Sequence, residues 1–183
     1  MRHCPRCHPR GVTTKSGLRR EALLARASRP DAGEVLERVL TPLLATSPRV
    51  ASYVAGGSEP GIPPRPGWLL PVLLPDGDLD WAAYDGTLAA GPHGLLQPTG
   101  PRLGPGSVAG CDLVLVPALL VDRRGARLGR GGGSYDRALA RATGLTVALL
   151  HDGELVDHLP TEPHDVPVQA AATPLLGLVR LPE

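Results

Sequence analysis

The residues of this chain with the clearest chemical use lie in Leu128–Arg137, LGRGGGSYDR. Gly129, Gly131, Gly132 and Gly133 allow backbone to approach a ligand closely and to take positive φ. Arg127 and Arg130 add guanidinium groups suited to phosphate or carboxylate oxygens. A helix beginning just after the glycines would turn unpaired N–H groups toward an anion. Asp136, one residue into that helix, is placed to hold Mg²⁺ against the same anion, or simply to complement the helix dipole. The spacing is neither a P-loop nor a tight dinucleotide fingerprint, so the glycines alone also fit a surface loop without function.

Other polar residues stand out singly. Lys15 is the lone lysine among 19 basic residues. Glu59 ends the segment SYVAGGSE, and EPHDVP carries His164 beside Asp165. Neighbours in an extended segment face opposite ways, so these two are not expected to form a hydrogen-bonded pair. Cys4, Cys7 and His8, written CPRCH, match c-type haem attachment or half of a zinc ribbon. No signal peptide precedes them and no second ligand pair follows, so residues 1–13 read as a flexible extension without a role, and a start near Val12 would omit most of it.

The elements that would position these residues are legible as periodicity. From Lys15 a helical stripe of Leu18, Ala22 and Ala25 runs until Pro30. Asp31 and Glu34 look like a cap and its reciprocal partner for a second amphipathic helix, bent near Pro42. Val50–Ala55, Leu69–Leu74, Leu113–Val116 and Leu145–Leu150 are short Val- and Leu-rich runs suited to parallel strands covered on both faces. A helix over Tyr135–Thr143, capped by Ser134 and closed by Gly144, completes a βαβ unit. The class is therefore α/β, with one domain over residues 14–183 and a hairpin or excursion at Pro75–Pro105.

Composition narrows the function. A chain of 183 residues can bury an adequate core without staples. A formal charge of +1 offers no general attraction to nucleic acid or anionic membrane. No run reaches the roughly 18 apolar residues of a membrane span. Three cysteines suit a reducing compartment, and a cytoplasmic location is expected.

The segment DLVLVPALLVDRRGARLGRGGGSYDRAL resembles the signature of the 5-formyltetrahydrofolate cyclo-ligase family, approximately DLVIVPGLAFDxxGxRLGxGxGYYDRFL. KSGLR at Lys15–Arg19 is similar to that family's KxxLR, SYVAGGSEP at Ser52–Pro60 to its strand ending in a substrate-contacting Glu, LPVLLPDGDLDW at Leu70–Trp81 to its second strand and hairpin, and LPTEPHDVPVQAAAT at Leu159–Thr173 to its closing LPxExHD block. The resemblance implies an α/β fold with a mainly parallel sheet and flanking helices, like NagB, RpiA and CoA transferases. It implies ATP- and Mg²⁺-dependent closure of 5-formyltetrahydrofolate to 5,10-methenyltetrahydrofolate by a monomer or weakly associating homodimer.

By motif position, Lys15, Arg19, Arg127 and Gly129, with Gly131, Gly132, Gly133, Ser134, Tyr135 and Asp136, would contact ATP. Val54, Glu59, Arg130, Gly131, Gly132, Gly133 and Ser134 would line the folate site. Arg130, Tyr135 and Asp136 would be catalytic, and Asp136 with Asp165 would bind Mg²⁺, leaving His164 structural. The chain departs from the pattern in three places. PGIPPRPGW after Glu59 cannot form the family's crossover helix, so an apolar sheet face is expected to be exposed or covered by another chain. Ser134 replaces an aromatic, and Gln97 replaces a Glu. These departures leave open a degenerate binding relative, or a same-fold enzyme with another phosphorylated substrate.

Overall fold

In a computed structural model, which describes residues 14–182, the N-terminal pattern forms α1, Lys15–Arg26. Thr14 caps it by accepting the Gly17 N–H through Oγ1 at 3.2 Å. The CPRCH motif lies outside the described residues. Helix α2 spans Gly33–Thr46 and continues one turn past Pro42. Asp31 accepts the Gly33 N–H at 2.9 Å, but Glu34 does not close a capping box; it faces Arg38 at 3.9 Å on the helix surface.

The large sheet is built from β1 (Val50–Ala51), β2 (Leu69–Leu73) and β3 (Leu79–Ala83), followed after an excursion by β6 (Leu113–Pro117), β9 (Leu145–Leu149), β11 (Ala170–Thr173) and β12 (Gly177–Arg180). The excursion carries the hairpin β4 (Leu88–Ala90) and β5 (Leu96–Pro98). Between β6 and β9 come β7 (Leu120–Asp122) and β8 (Arg127–Leu128), which pair with each other, while β10 (Leu155–Val156) adds a third strand on β7. The large sheet has the order β12-β11-β9-β6-β1-β2-β3, parallel from β11 to β2, with antiparallel edges at β12 and β3. The four expected runs are β1, β2, β6 and β9, although β1 stops at Ala51 rather than Ala55, and the parallel strand β11 was not among them.

Alternate residues of each parallel strand go to opposite cores. Val50, Leu113, Leu115, Val147 and Leu149 meet Leu36 and Leu40 of α2 on one face. Ala51, Val114, Val116 and Ala148 meet Ala138 and Leu139 on the other. Those two belong to α3, Ser134–Leu139, which is shorter than expected and begins at Ser134 rather than being capped by it. Gly133, at φ 68°, takes the cap position, where a Cβ would be strained.

The missing crossover helix does not leave the sheet bare. Ile62 and Trp68, at either end of the proline-rich connection, fold back as buried members of the α2-side core. Tyr53 joins them, its hydroxyl donating to the Pro60 carbonyl. Two apolar side chains, with α2, therefore cover what a helix covers elsewhere, and the expectation of an exposed apolar face is overturned.

Candidate active site

The carboxyl ends of β1 and β6 and the loop between β8 and α3 surround a cleft of about 1150 Å³. All fourteen residues singled out by motif position line it. They come from five separate stretches: the start of α1, the β1 exit, the β8 strand, the glycine loop with α3, and the segment before β11.

The glycine loop is held from two sides. Arg19 Nε donates to the Gly129 carbonyl at 2.9 Å, and Gly131, at φ 106°, is so close to the Arg19 guanidinium that a Cβ would sit 3.3 Å from Cζ. A Cβ on Gly129 would meet Arg127 Nη1 at 2.6 Å. A side chain at either glycine would have to push the Arg127 or Arg19 guanidinium aside, and at Gly131 it would also be strained by the positive φ.

Arg127 lies inward, only 4% exposed at its side chain. Its Nη1 donates to the Pro117 carbonyl at 3.2 Å and its Nη2 to Asp136 Oδ1 at 3.1 Å, while Nε is buried without a partner. The guanidinium also lies over the Tyr135 ring, 5.8 Å from its centroid. The Tyr135 hydroxyl is buried and unpartnered as well. Burial and then the Glu59 charge push its pKa up, so it remains a protonated hydrogen-bond donor.

Lys15 bridges Glu162 at 2.7 Å and Asp165 at 2.6 Å. Burial raises the Asp165 pKa, but the Lys15 hydrogen bond and a backbone N–H outweigh it and hold the carboxylate below its usual range. Segment 162–165 is a turn, not extended chain. The Asp165 N–H donates to the Glu162 carbonyl at 3.0 Å and the Glu162 N–H to Asp165 Oδ2 at 2.7 Å. Asp165 thus faces inward and His164 stays exposed, 3.8 Å from Asp165 and without a hydrogen bond to it. As expected the two are not hydrogen-bonded, but the turn brings their side chains near each other rather than to opposite sides.

Val166, next to Asp165, donates its N–H to Asp136 Oδ1 at 3.4 Å, so the two carboxylates are brought to neighbouring points of the cleft wall. Carboxylate oxygens are the ligand type that Mg²⁺ takes, and Asp165 already pairs with one cation, Lys15. Glu162, His164 and Asp165 offer ligand atoms within 4.8 Å of one another. Glu162 was present in the LPxExHD block without an assigned role, and its contact with Lys15 emerges only in three dimensions.

A model of the 5-formyltetrahydrofolate cyclo-ligase family matches residues 67–174. A 5-formyltetrahydrofolate cyclo-ligase of Mycolicibacterium smegmatis is 41% identical over 92% of this chain and 97% of its own length. The chain belongs to the 5-formyltetrahydrofolate cyclo-ligase family. Among solved structures, the NMR structure of Aquifex aeolicus 5,10-methenyltetrahydrofolate synthetase superposes with a TM-score of 0.73 at 26% identity, covering 92% of this chain and 93% of that one. A Mycoplasma pneumoniae 5,10-methenyltetrahydrofolate synthetase, at 18% identity and a TM-score of 0.68, shares the fold over 86% of this chain and 96% of its own.

Within this cyclo-ligase fold the departures at Gln97 and Ser134 have structural accounts. Gln97 Oε1 accepts the Leu73 N–H at 2.8 Å, a bond that a Glu carboxylate would accept equally. Ser134 lines the cleft at the start of α3, so the missing aromatic leaves room rather than a gap in the core. His93 and Leu95, from the β4–β5 connection, and Leu96, the first residue of β5, form a lip on the same cleft that pattern reading missed. His93 sits at φ 58°, and the strand that Leu96 begins is only three residues long. No described helix is long and apolar enough to cross a membrane.

Proposed function

We propose that this protein closes 5-formyltetrahydrofolate to 5,10-methenyltetrahydrofolate, with ATP giving ADP and phosphate. The observation that carries the reading is the convergence on one cleft of the Lys15, Arg19 and Arg127 cations, the glycine loop, the Asp136 and Asp165 carboxylates, and Glu59. The formyl oxygen attacks the γ-phosphorus as ADP leaves; N10 of the folate then attacks the activated formyl carbon and gives up its proton, and the carbon–oxygen bond breaks to release phosphate as the ring closes. Such chemistry depends on positioned charge more than on a nucleophilic side chain.

Lys15 and Arg19, at the start of α1, are disposed to hold phosphate oxygens, and the N–H groups of the glycine loop to cradle them. When bound, Mg²⁺ at Asp136 and Asp165 would neutralise charge on the transferring phosphoryl group. Arg127, with its free Nε, braces Asp136 from behind. Arg130, at the mouth and 62% exposed at its side chain, is free to swing onto the leaving phosphate. The Tyr135 hydroxyl supplies a donor where burial keeps it protonated. Val54, Glu59 and Ser134 form the folate side.

Purified protein given Mg·ATP and 5-formyltetrahydrofolate is expected to develop methenyl-folate absorbance with time, and to produce ADP in equal amount. ATP binding without either product would favour a binding relative that does not turn over.

The Glu59 carboxylate gives the reaction a predicted pH dependence. Burial raises its pKa, and Arg130, 3.9 Å away, partly offsets that rise. If the ionised carboxylate is the form that orients folate, folate KM falls as pH rises through this elevated pKa. Arg130→Gln removes the offset, so the inflection is expected to move to higher pH. KM measured against pH in both proteins checks this; an inflection moving down, or not at all, removes Glu59 as its source.

A further inference from the structure

We infer that His151 is a positioning residue, holding the Gly56–Glu59 loop so that the Glu59 carboxylate stands in the cleft. The loop has little to fix it from within. Gly57 is at φ 59°, and neither Gly56 nor Gly57 has a neighbour where a Cβ would lie. Its internal hydrogen bonds are a turn, Glu59 N–H to the Gly56 carbonyl at 3.1 Å, and a long contact of 3.5 Å from the Gly56 N–H to Glu59 Oε2. From outside, His151 Nε2 reaches the Ser58 carbonyl at 2.9 Å, across 93 positions of sequence. A carbonyl only accepts, so Nε2 is the protonated nitrogen.

The imidazole is itself firmly seated. His151 is 5% exposed, at the exit of β9. Its backbone N–H donates to Glu154 Oε2 at 2.9 Å, and the Glu154 N–H returns a bond to the His151 carbonyl at 3.2 Å. Arg26 grips Glu154 with two bonds, Nε to Oε1 at 2.8 Å and Nη2 to Oε2 at 2.7 Å. Arg26 ends the helix that begins at Lys15. One chain of bonds, buried as far as the imidazole, therefore runs from α1, which carries Lys15 and Arg19 at its other end, through Glu154 and His151 to the exposed residue before Glu59. It sets the folate-side loop relative to the helix that carries the nucleotide-side cations, which is where positional error of an ångström is costly.

The inference rests on the folate role of Glu59 proposed above. His151→Leu removes the donor, and His151→Gln keeps an N–H near the position of Nε2. In the leucine variant, KM for 5-formyltetrahydrofolate is expected to rise about five- to tenfold, the scale of one lost hydrogen bond. KM for ATP and kcat should stay within about twofold, and the glutamine variant should restore most of the folate KM. Hydrogen exchange at residues 57–59, measured without substrate, should quicken in His151→Leu and not in His151→Gln. Unchanged exchange, or a loss shared equally by both KM values and kcat, overturns the positioning role. An inactive parent protein would overturn the reaction instead, and exchange in the loop would still decide the tether.

Discussion

Arg26→Met is expected to destabilise the fold by about 3–5 kcal/mol, the cost of leaving one member of a buried ion pair without its partner. Arg26 and Glu154 are 1% and 2% exposed at their side chains, so water cannot take over the lost interaction. Arg26 also donates through Nη2 to the Ala118 carbonyl, at the floor of the cleft. The substitution thus strands a carboxylate and a carbonyl together. Pairing it with Glu154→Gln removes the stranded charge, while the amide oxygen can still accept the His151 N–H; most of the loss should be recovered. Chemical denaturation of the three variants gives the comparison. A single-variant loss below about 1 kcal/mol would mean that the pair is hydrated in solution and cannot anchor α1.

That pair also marks the limit of what the sequence revealed. Arg26 reads there as a basic residue in the last turn of an amphipathic helix, favourable against the dipole and expected in water. Its burial follows from how α1 docks, and no local pattern encodes a partner 128 positions away. His151 and Glu154 are hidden for the same reason. Four parallel strands, β1, β2, β6 and β9, were legible because each leaves a run of Val and Leu buried on both faces, whereas the parallel β11, written AAAT, carries no such run. The two- and three-residue strands β7, β8 and β10 are too short to display any period. Ile62 and Trp68 misled because prolines exclude a helix without excluding burial; a connection with no secondary structure can still send two side chains into the core. The cleft itself was legible in the parts that carry a motif, the glycine loop, Lys15, Glu59 and Asp165. Glu162 and the His93–Leu96 lip required the fold.

Asp136→Asn is expected to lower kcat by about a hundredfold or more, the effect of removing a preorganised charge from a phosphoryl-transfer site. The fold should survive, because the amide oxygen can still accept Arg127 Nη2 and the Val166 N–H, the two bonds Asp136 Oδ1 now receives. What changes is charge: a neutral amide is a poor ligand for a hard divalent cation. Two roles predict different titrations. If Asp136 holds Mg²⁺, the metal concentration for half-maximal rate should rise about tenfold or more, while binding of metal-free nucleotide changes little. If Asp136 serves only to brace Arg127, the metal requirement is unchanged and nucleotide binding weakens, since the buried guanidinium has lost its counter-charge. Asp165→Asn supplies the internal comparison. It shares the metal effect but also loosens Lys15, which Asp165 and Glu162 hold between them. Nucleotide affinity should therefore respond to Asp165→Asn and not to Asp136→Asn, and full activity in the Asp136 variant would remove that carboxylate from the reaction altogether.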